Sequence, residues 1–204
     1  METKNTAAEL ERRHVNSVEV RLAPQAGEAE SSQRTIEGYA ALFNVETDLG
    51  GLYERIARGA FTESLASGDV RALYNHDNNL VLGRTKSGTL TLVEDEKGLR
   101  FSCKLPDTSY ARDLSDLLKR GDIDGCSFGF TIEDEDFETR EDGSYLRELR
   151  KVNLIEVTLG CTFPAYPTTS ISLRSLEQWK ESREREEFRS RLYIAKLKLQ
   201  LMAM

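Results

Sequence analysis

Asp124-Gly125-Cys126-Ser127-Phe128-Gly129-Phe130-Thr131-Ile132 alternates strictly between two kinds of side chain. In an extended chain successive side chains point to opposite faces, so Cys126, Phe128, Phe130 and Ile132 share one face and Gly125, Ser127, Gly129 and Thr131 the other. The bulky face belongs to a core. On the opposite face two glycines bracket a serine, and glycine weakens a strand unless a ligand or another backbone must come close. The segment is a strand with either an opening suited to an extended substrate, or a β-bulge or tight sheet crossing.

Outward from this strand the same texture continues in both directions. Short apolar runs divided by Gly, Asp and Asn predict strands over residues 35–43, 52–56, 70–74, 80–84, 89–93, 99–105, 125–132, 145–149 and 152–159, the spacing of a mainly β domain closed as a barrel or sandwich. Two helices interrupt them. One follows Pro106-Asp107-Thr108, where Asp107 or Thr108 can cap free N–H groups; its apolar side is Tyr110, Leu114, Leu117 and Leu118, and Gly121 can end it in a left-handed conformation. The other spans residues 60–66, with Phe61 and Leu65 four apart. The domain therefore covers residues 34–173. Residues 1–33 form a flexible N-terminal arm with a candidate edge strand in Val18-Glu19-Val20-Arg21-Leu22, and residues 174–204 a charged helical tail. Residues 174–198 carry eight basic and five acidic side chains, a local +3 against −10 for the rest of the chain.

Composition narrows the function classes. The 204 residues are 39% hydrophobic and 31% charged, with a net charge of −7 and an isoelectric point near 5.1. That bulk charge does not suit a nucleic-acid binder, and no window approaches the ~18 uncharged apolar residues of a membrane-spanning helix. METKNTAAELERRH lacks the apolar stretch of a signal peptide, so the chain is expected to stay in the compartment where it is made. Cys103, Cys126 and Cys161 are an odd set with no CxxC pair, which predicts reduced thiols and neither a disulfide framework nor a zinc site.

Three residues outside the core pattern could carry chemistry. There are two histidines; His14 sits in the charged arm, whereas His76 ends a strand-like run before the turn-forming Asp77-Asn78-Asn79. Glu156 interrupts the nearly continuous apolar and β-branched run 152–159, where a carboxylate needs a partner, either a structural arginine or a histidine. With Ser127 these make a nucleophile, a base and an orienting acid: a serine hydroxyl attacks only when a neutral imidazole takes its proton, and the acid fixes the imidazole tautomer.

The ordered motifs Ile36-Glu37-Gly38-Tyr39-Ala40-Ala41-Leu42-Phe43-Asn44, Gly59-Ala60-Phe61, Asn75-His76-Asp77, Leu82-Gly83-Arg84, Ser87-Gly88-Thr89-Leu90, Leu105-Pro106-Asp107-Thr108, Ser127-Phe128-Gly129-Phe130, Glu156-Val157-Thr158 and Pro164-Ala165-Tyr166-Pro167 closely resemble the HK97-type prohead (capsid maturation) serine proteases of tailed phages. The resemblance implies an α+β, mainly β fold similar to the herpesvirus assemblins, an antiparallel β-barrel flanked by helices. It also implies a serine endopeptidase without cofactor or metal, with His76 as base, Ser127 as nucleophile and Glu156 as the third member. Arg84 and the backbone N–H groups from Thr158 to Thr162, Gly160 among them, are candidate oxyanion donors. The implied substrate is the scaffold segment of the major capsid protein, cleaved inside the assembling prohead in the host cytoplasm, with self-cleavage and self-association but no nucleic-acid or membrane partner. Two other readings stand beside it: a cysteine peptidase using Cys126, which strand alternation places with the core phenylalanines, and a non-catalytic capsid-assembly module built on the charged tail.

Overall fold

The computed structural model describes residues 9–15, 20–23, 34–161 and 170–202. In chain order its elements are β1 (Glu11–Val15), β2 (Arg21–Leu22), β3 (Thr35–Leu42), β4 (Thr47–Asp48), β5 (Leu52–Ile56), α1 (Thr62–Ser67), β6 (Arg71–Tyr74), β7 (Asp77–Arg84), β8 (Leu90–Glu94), β9 (Gly98–Lys104), α2 (Ser109–Arg120), β10 (Gly125–Thr139), β11 (Tyr145–Cys161) and α3 (Ser170–Met202). The chain divides into two units, residues 1–167 and 168–204.

Two sheets build the first unit. The larger runs β1-β10-β11-β5-β4, with β6 also on β11 and β7 on β6; the smaller runs β2-β3-β9-β8. β10 and β11 are a long hairpin closed by a turn in which Arg140 and Ser144 are joined backbone to backbone at 2.9 Å. β11 is long enough to accept two parallel partners in succession on its far edge, β5 against Tyr145–Leu149 and β6 against 156–159. The expected antiparallel barrel is therefore replaced by two open layers, the larger mixed and the smaller antiparallel: among the described residues β1 and β4 each have a single neighbour and the larger sheet does not close. Parallel pairing across distant segments leaves no signature in local alternation, and the barrel expectation had no means of detecting it.

The core of the first unit lies between the sheets and helices α1 and α2. Ile36, Ala40, Phe101 and Cys103 from the small sheet meet Phe128, Phe130, Val157 and Leu159 from the large one. Phe61 joins them edge-on to Phe128, and Phe128 stacks on Phe130 with centroids 5.0 Å apart. α2 ends as its sequence requires, Gly121 at φ 76° donating its N–H to Leu117 and Leu118 carbonyls, with Lys119 and Arg120 in the last turn where the helix dipole favours cations. Its start differs from expectation: neither Asp107 nor Thr108 caps it, and Asp107 instead pairs with Arg112 at 2.6 Å.

β1 is the element that the residue pattern conceals. Arg12 and His14 fall on one face and Glu11 and Arg13 on the other, so both faces are polar and the segment reads as a solvated arm. It is in fact a strand paired along β10, with Glu11 and Arg13 buried. Arg13 bridges Glu54 at 2.5 and 2.7 Å and Glu11 at 2.6 Å, and the fully buried Arg147 joins Glu11, Glu54 and Glu135. Burial of charge is tolerated there because each cation meets carboxylates and each carboxylate a cation. The candidate edge strand at 18–22 is observed as Arg21–Leu22, residues 16–19 lying outside the described set.

The second unit is α3, 33 residues that begin at Ser170, four before the expected tail boundary. It has no Pro or Gly to break it, and its apolar side chains are not gathered on one stripe: Phe188, Leu192, Tyr193, Ile194 and Leu197 are all exposed. No helix among the described residues is long and apolar enough to cross a membrane.

Candidate active site

β6 leads into a tight turn in which Asn75 and His76 both take positive φ, 48° and 60°. Asparagine tolerates that region and histidine does so at a cost of about 1–3 kcal/mol, a strain that persists where the surroundings fix the residue. The surroundings here are Glu156 and Thr158. The His76 Nδ1–H lies 2.6 Å from Glu156 Oε1 and 3.1 Å from Thr158 Oγ1, while the Thr158 hydroxyl donates to Glu156 Oε2 at 2.8 Å. The three form a closed ring of hydrogen bonds that holds the proton on Nδ1 and turns Nε2 outward from the carboxylate.

A phase shift in β11 makes this possible. Gly129 is opposite Glu156 but Phe130 is opposite Leu154, so Ile155 is an extra, exposed residue. The bulge lets Leu154 and Val157 both face the core and leaves Glu156 and Thr158 on the other face. Without it a run of such residues would alternate through and point the carboxylate or its neighbours the wrong way.

Ser127 stands on the same face, opposite Thr158 in the β10–β11 ladder and opposite His14 in the β1–β10 ladder. It is fully buried, and its hydroxyl donates to the backbone carbonyl of Arg13 at 2.8 Å. Of the two readings open for its flanking glycines, the ladder shows the bulge, with register shifts at both, and the alternative opening is filled by the chain itself. A Cβ on Gly129 would lie 2.8 Å from Glu156 Oε1, and one on Gly125 would strike the His14 imidazole. The glycines are required by side chains that cross the strand.

Two residues that the pattern reading left aside complete the surroundings. His14 belongs to β1 and is half-buried, not carried on a mobile arm. Cys161, at the end of β11 opposite Gly125, lies beside both imidazoles. Burial pushes its thiol up, but hydrogen bonds from His14 and His76 outweigh that and bring it down to about 6. For His76 burial acts downward, and the Cys161 sulfur and the Glu156 carboxylate more than offset it, raising the imidazole to about 9. His76 Nε2 is buried and has no conventional hydrogen-bond partner among the described atoms. Thr158 and Cys161 were invisible as site residues because a threonine and a cysteine in an apolar β run are ordinary core or pleat residues; the signal was their spacing of two and five from Glu156 on one strand. Among the described residues no group of His, Cys, Asp or Glu is arranged to hold a metal ion.

The structure does not bring Arg84 or Gly160 to this group as oxyanion donors. Arg84 is opposite Arg71, at the far end of the β6–β7 hairpin from His76, and its guanidinium is committed to Asp69, with Nε 2.7 Å from Oδ1. Gly160 has φ 75° and no room for a Cβ because Leu114 of α2 packs on it, and its N–H is directed to the Cys126 sulfur. Cys126 is fully buried on the core face, where burial holds its thiol far above its ordinary value. Thr162 and the Pro164–Pro167 motif lie outside the described residues.

An imidazole oriented by a buried carboxylate, with a strand hydroxyl on the same face, is an arrangement suited to the class of hydrolases that work by general-base activation. Comparison with known proteins agrees on the class and gives the family. Residues 19–182 match the family described as Caudovirus prohead serine protease, and the chain belongs to it. It is 32% identical over 164 residues to the prohead protease of Enterobacteria phage HK97, covering 74% of this chain and 68% of that one. Among solved structures it is similar to the bacteriophage T4 capsid assembly protease, at 10% identity and a TM-score of 0.43, over 74% of this chain and 99% of that one.

Proposed function

We propose that the protein is a serine endopeptidase that cleaves the scaffold segment of a major capsid protein, and itself, during prohead maturation. The single observation that carries this is the 2.6 Å contact between His76 Nδ1 and Glu156 Oε1, which orients the imidazole with Nε2 turned away from the carboxylate. In the reaction Ser127 Oγ attacks the scissile carbonyl, His76 Nε2 takes its proton and then returns it to the leaving amine, and Glu156 steadies the imidazolium. Thr158 positions both His76 and Glu156. Water releases the acyl group by the same route. The test is Ser127→Ala, which should lower cleavage of the capsid protein about a millionfold while the fold survives.

One observation favours a second reading. Cys161 is a thiol depressed to about 6 beside His76, a better nucleophile in chemical terms than the serine hydroxyl. Normal cleavage by Ser127→Ala together with silence of Cys161→Ala would move the nucleophile to Cys161. The Cys126 reading has no such support, because its thiol is on the core face.

A further inference from the structure

Ser127 is inaccessible as it stands. One edge of β10 is taken by β11 and the other by β1, and the peptide carbonyl nearest to the Ser127 hydroxyl is that of Arg13. An extended peptide that is to offer its own carbonyl to Ser127 from within the sheet has to take the edge that β1 holds. β1 also touches the site from both its sides. Outward, Arg12 lies 3.8 Å from Glu156 and His14 lies beside Cys161; inward, Arg13 seats its guanidinium on Glu54 and over the Phe130 ring at 5.4 Å. Beside this seat is a cavity of about 190 Å³ lined by Arg13, His14, Glu54, Ile56 and Phe128 among others.

We propose that the edge of β10 opposite β11 is a binding site for an extended peptide strand, with Glu54 as a seat for one cationic side chain, and that in the resting chain this site is filled by the protein's own segment Glu11–Val15. The strand's hydrogen bonds supply affinity and the alternate side chains supply register, as in other strand-addition sites. β1 has five residues and pairs on one edge only, so it can leave without breaking any other pairing of the large sheet. Because it is tethered, it competes at high local concentration and must be weakened before a peptide in trans can enter. Glu54 faces Arg147 as well as Arg13; removing β1 takes Glu11 and Arg13 away together and leaves Arg147 alone to face two carboxylates, Glu54 and Glu135, so the vacated seat can accept one cation. This assignment rests on Ser127 being the nucleophile only for its consequence in catalysis; the strand site itself is independent of that reading.

The test uses the full chain and a fluorescent peptide of residues 9–17. With Arg13→Glu in the protein, Glu54 repels the internal strand, and the peptide should bind at least about tenfold more tightly than to the wild-type chain, since one buried charge pair decides the contest. A peptide with glutamate in the place of Arg13 should not bind either chain. Equal binding to wild type and variant, or none to a folded variant, overturns the proposal. Should Arg13→Glu fail to fold, hydrogen exchange of the wild-type chain decides: amides of 11–15 should exchange as a unit well before those of the β10–β11 ladder, and exchange together with the ladder would make β1 a permanent core strand. Binding of the peptide combined with undiminished cleavage by Ser127→Ala would keep the strand site and remove the serine reading.

Discussion

Two buried charged clusters lie on opposite faces of the same strand pair, and they differ in one respect. Beneath β1 the group Glu11, Arg13, Glu54, Glu135 and Arg147 matches every cation with carboxylates. On the other face Glu156, Thr158 and His76 satisfy one another but leave His76 Nε2 without a conventional partner. A cluster that serves stability closes on itself. One proposed to serve chemistry turns a ring nitrogen away from its carboxylate, toward the Cys161 sulfur rather than a second oxygen or nitrogen. The comparison predicts that damage to the first cluster is read in stability and damage to the second in rate.

The sharpest break falls on the second cluster. Glu156→Gln keeps the shape and removes the charge, and turnover should fall about ten-thousandfold, by analogy with loss of a triad acid. Steady-state kinetics with thermal melts in parallel check this; full rate with reduced thermal stability would make Glu156 a structural residue like those beneath β1. For the first cluster, Arg147→Met leaves buried carboxylates short of a cation and should cost about 3–5 kcal/mol in denaturant unfolding. Its effect on the rate of the remaining folded protein should be small, which assay at a temperature well below the melting point will show.

Gly129→Ala joins the two regions. Its new methyl meets Glu156 at Oε1, Cγ and Cδ, so the carboxylate must leave His76. A displacement on the scale of 1 Å should reduce kcat about a hundredfold with little change in the fold. Unchanged kcat would mean that the orientation of Glu156 is not required.

How much of this was legible before the structure depended on whether a residue's surroundings are local. The strand of Ser127, the helix from Ser109 to Gly121 and the odd position of Glu156 follow from alternation, apolar spacing and a polar residue in an apolar run, all of which are carried within about ten residues. His76 and Glu156 were singled out separately, and their meeting depends on β6 lying parallel to β11, a pairing between segments some eighty residues apart. β1 was hidden for the opposite reason: its buried face is charged, and burial by charge matching depends on Glu54, Glu135 and Arg147, none of them near it in sequence. Of the two readings open for Gly125 and Gly129, the structure carries the bulge, with register shifts at both, and fills the opening with side chains; a glycine reports only that something comes close, not whether it is a substrate or a neighbouring side chain.

The smallest expected effect is on pH dependence. The folded His76 titrates near 9, above its ordinary 6.5, so the imidazolium's pairing contributes stability that is fully present below about 6.5 and is lost as pH rises through about 9. Catalysis needs the neutral form, so the acid limb of the rate profile should lie near 9, higher than an ordinary histidine would place it. Cys161→Ala removes one of the two groups that raise it, and the limb should move down toward 6.5. A limb that stays put in this variant would assign the shift to Glu156 alone.

The reaction is decided by which atom attacks, and a serine-directed fluorophosphonate followed by peptide mass analysis addresses that atom directly. The expected result is a single adduct on the peptide that carries Ser127, formed slowly because β1 must open to expose the hydroxyl, and lost in His76→Gln because the hydroxyl then has no base. An adduct on another serine, or persistent cleavage by a protein that carries no adduct and is instead silenced by alkylation of Cys161, would contradict the assignment of Ser127, His76 and Glu156 as one catalytic unit.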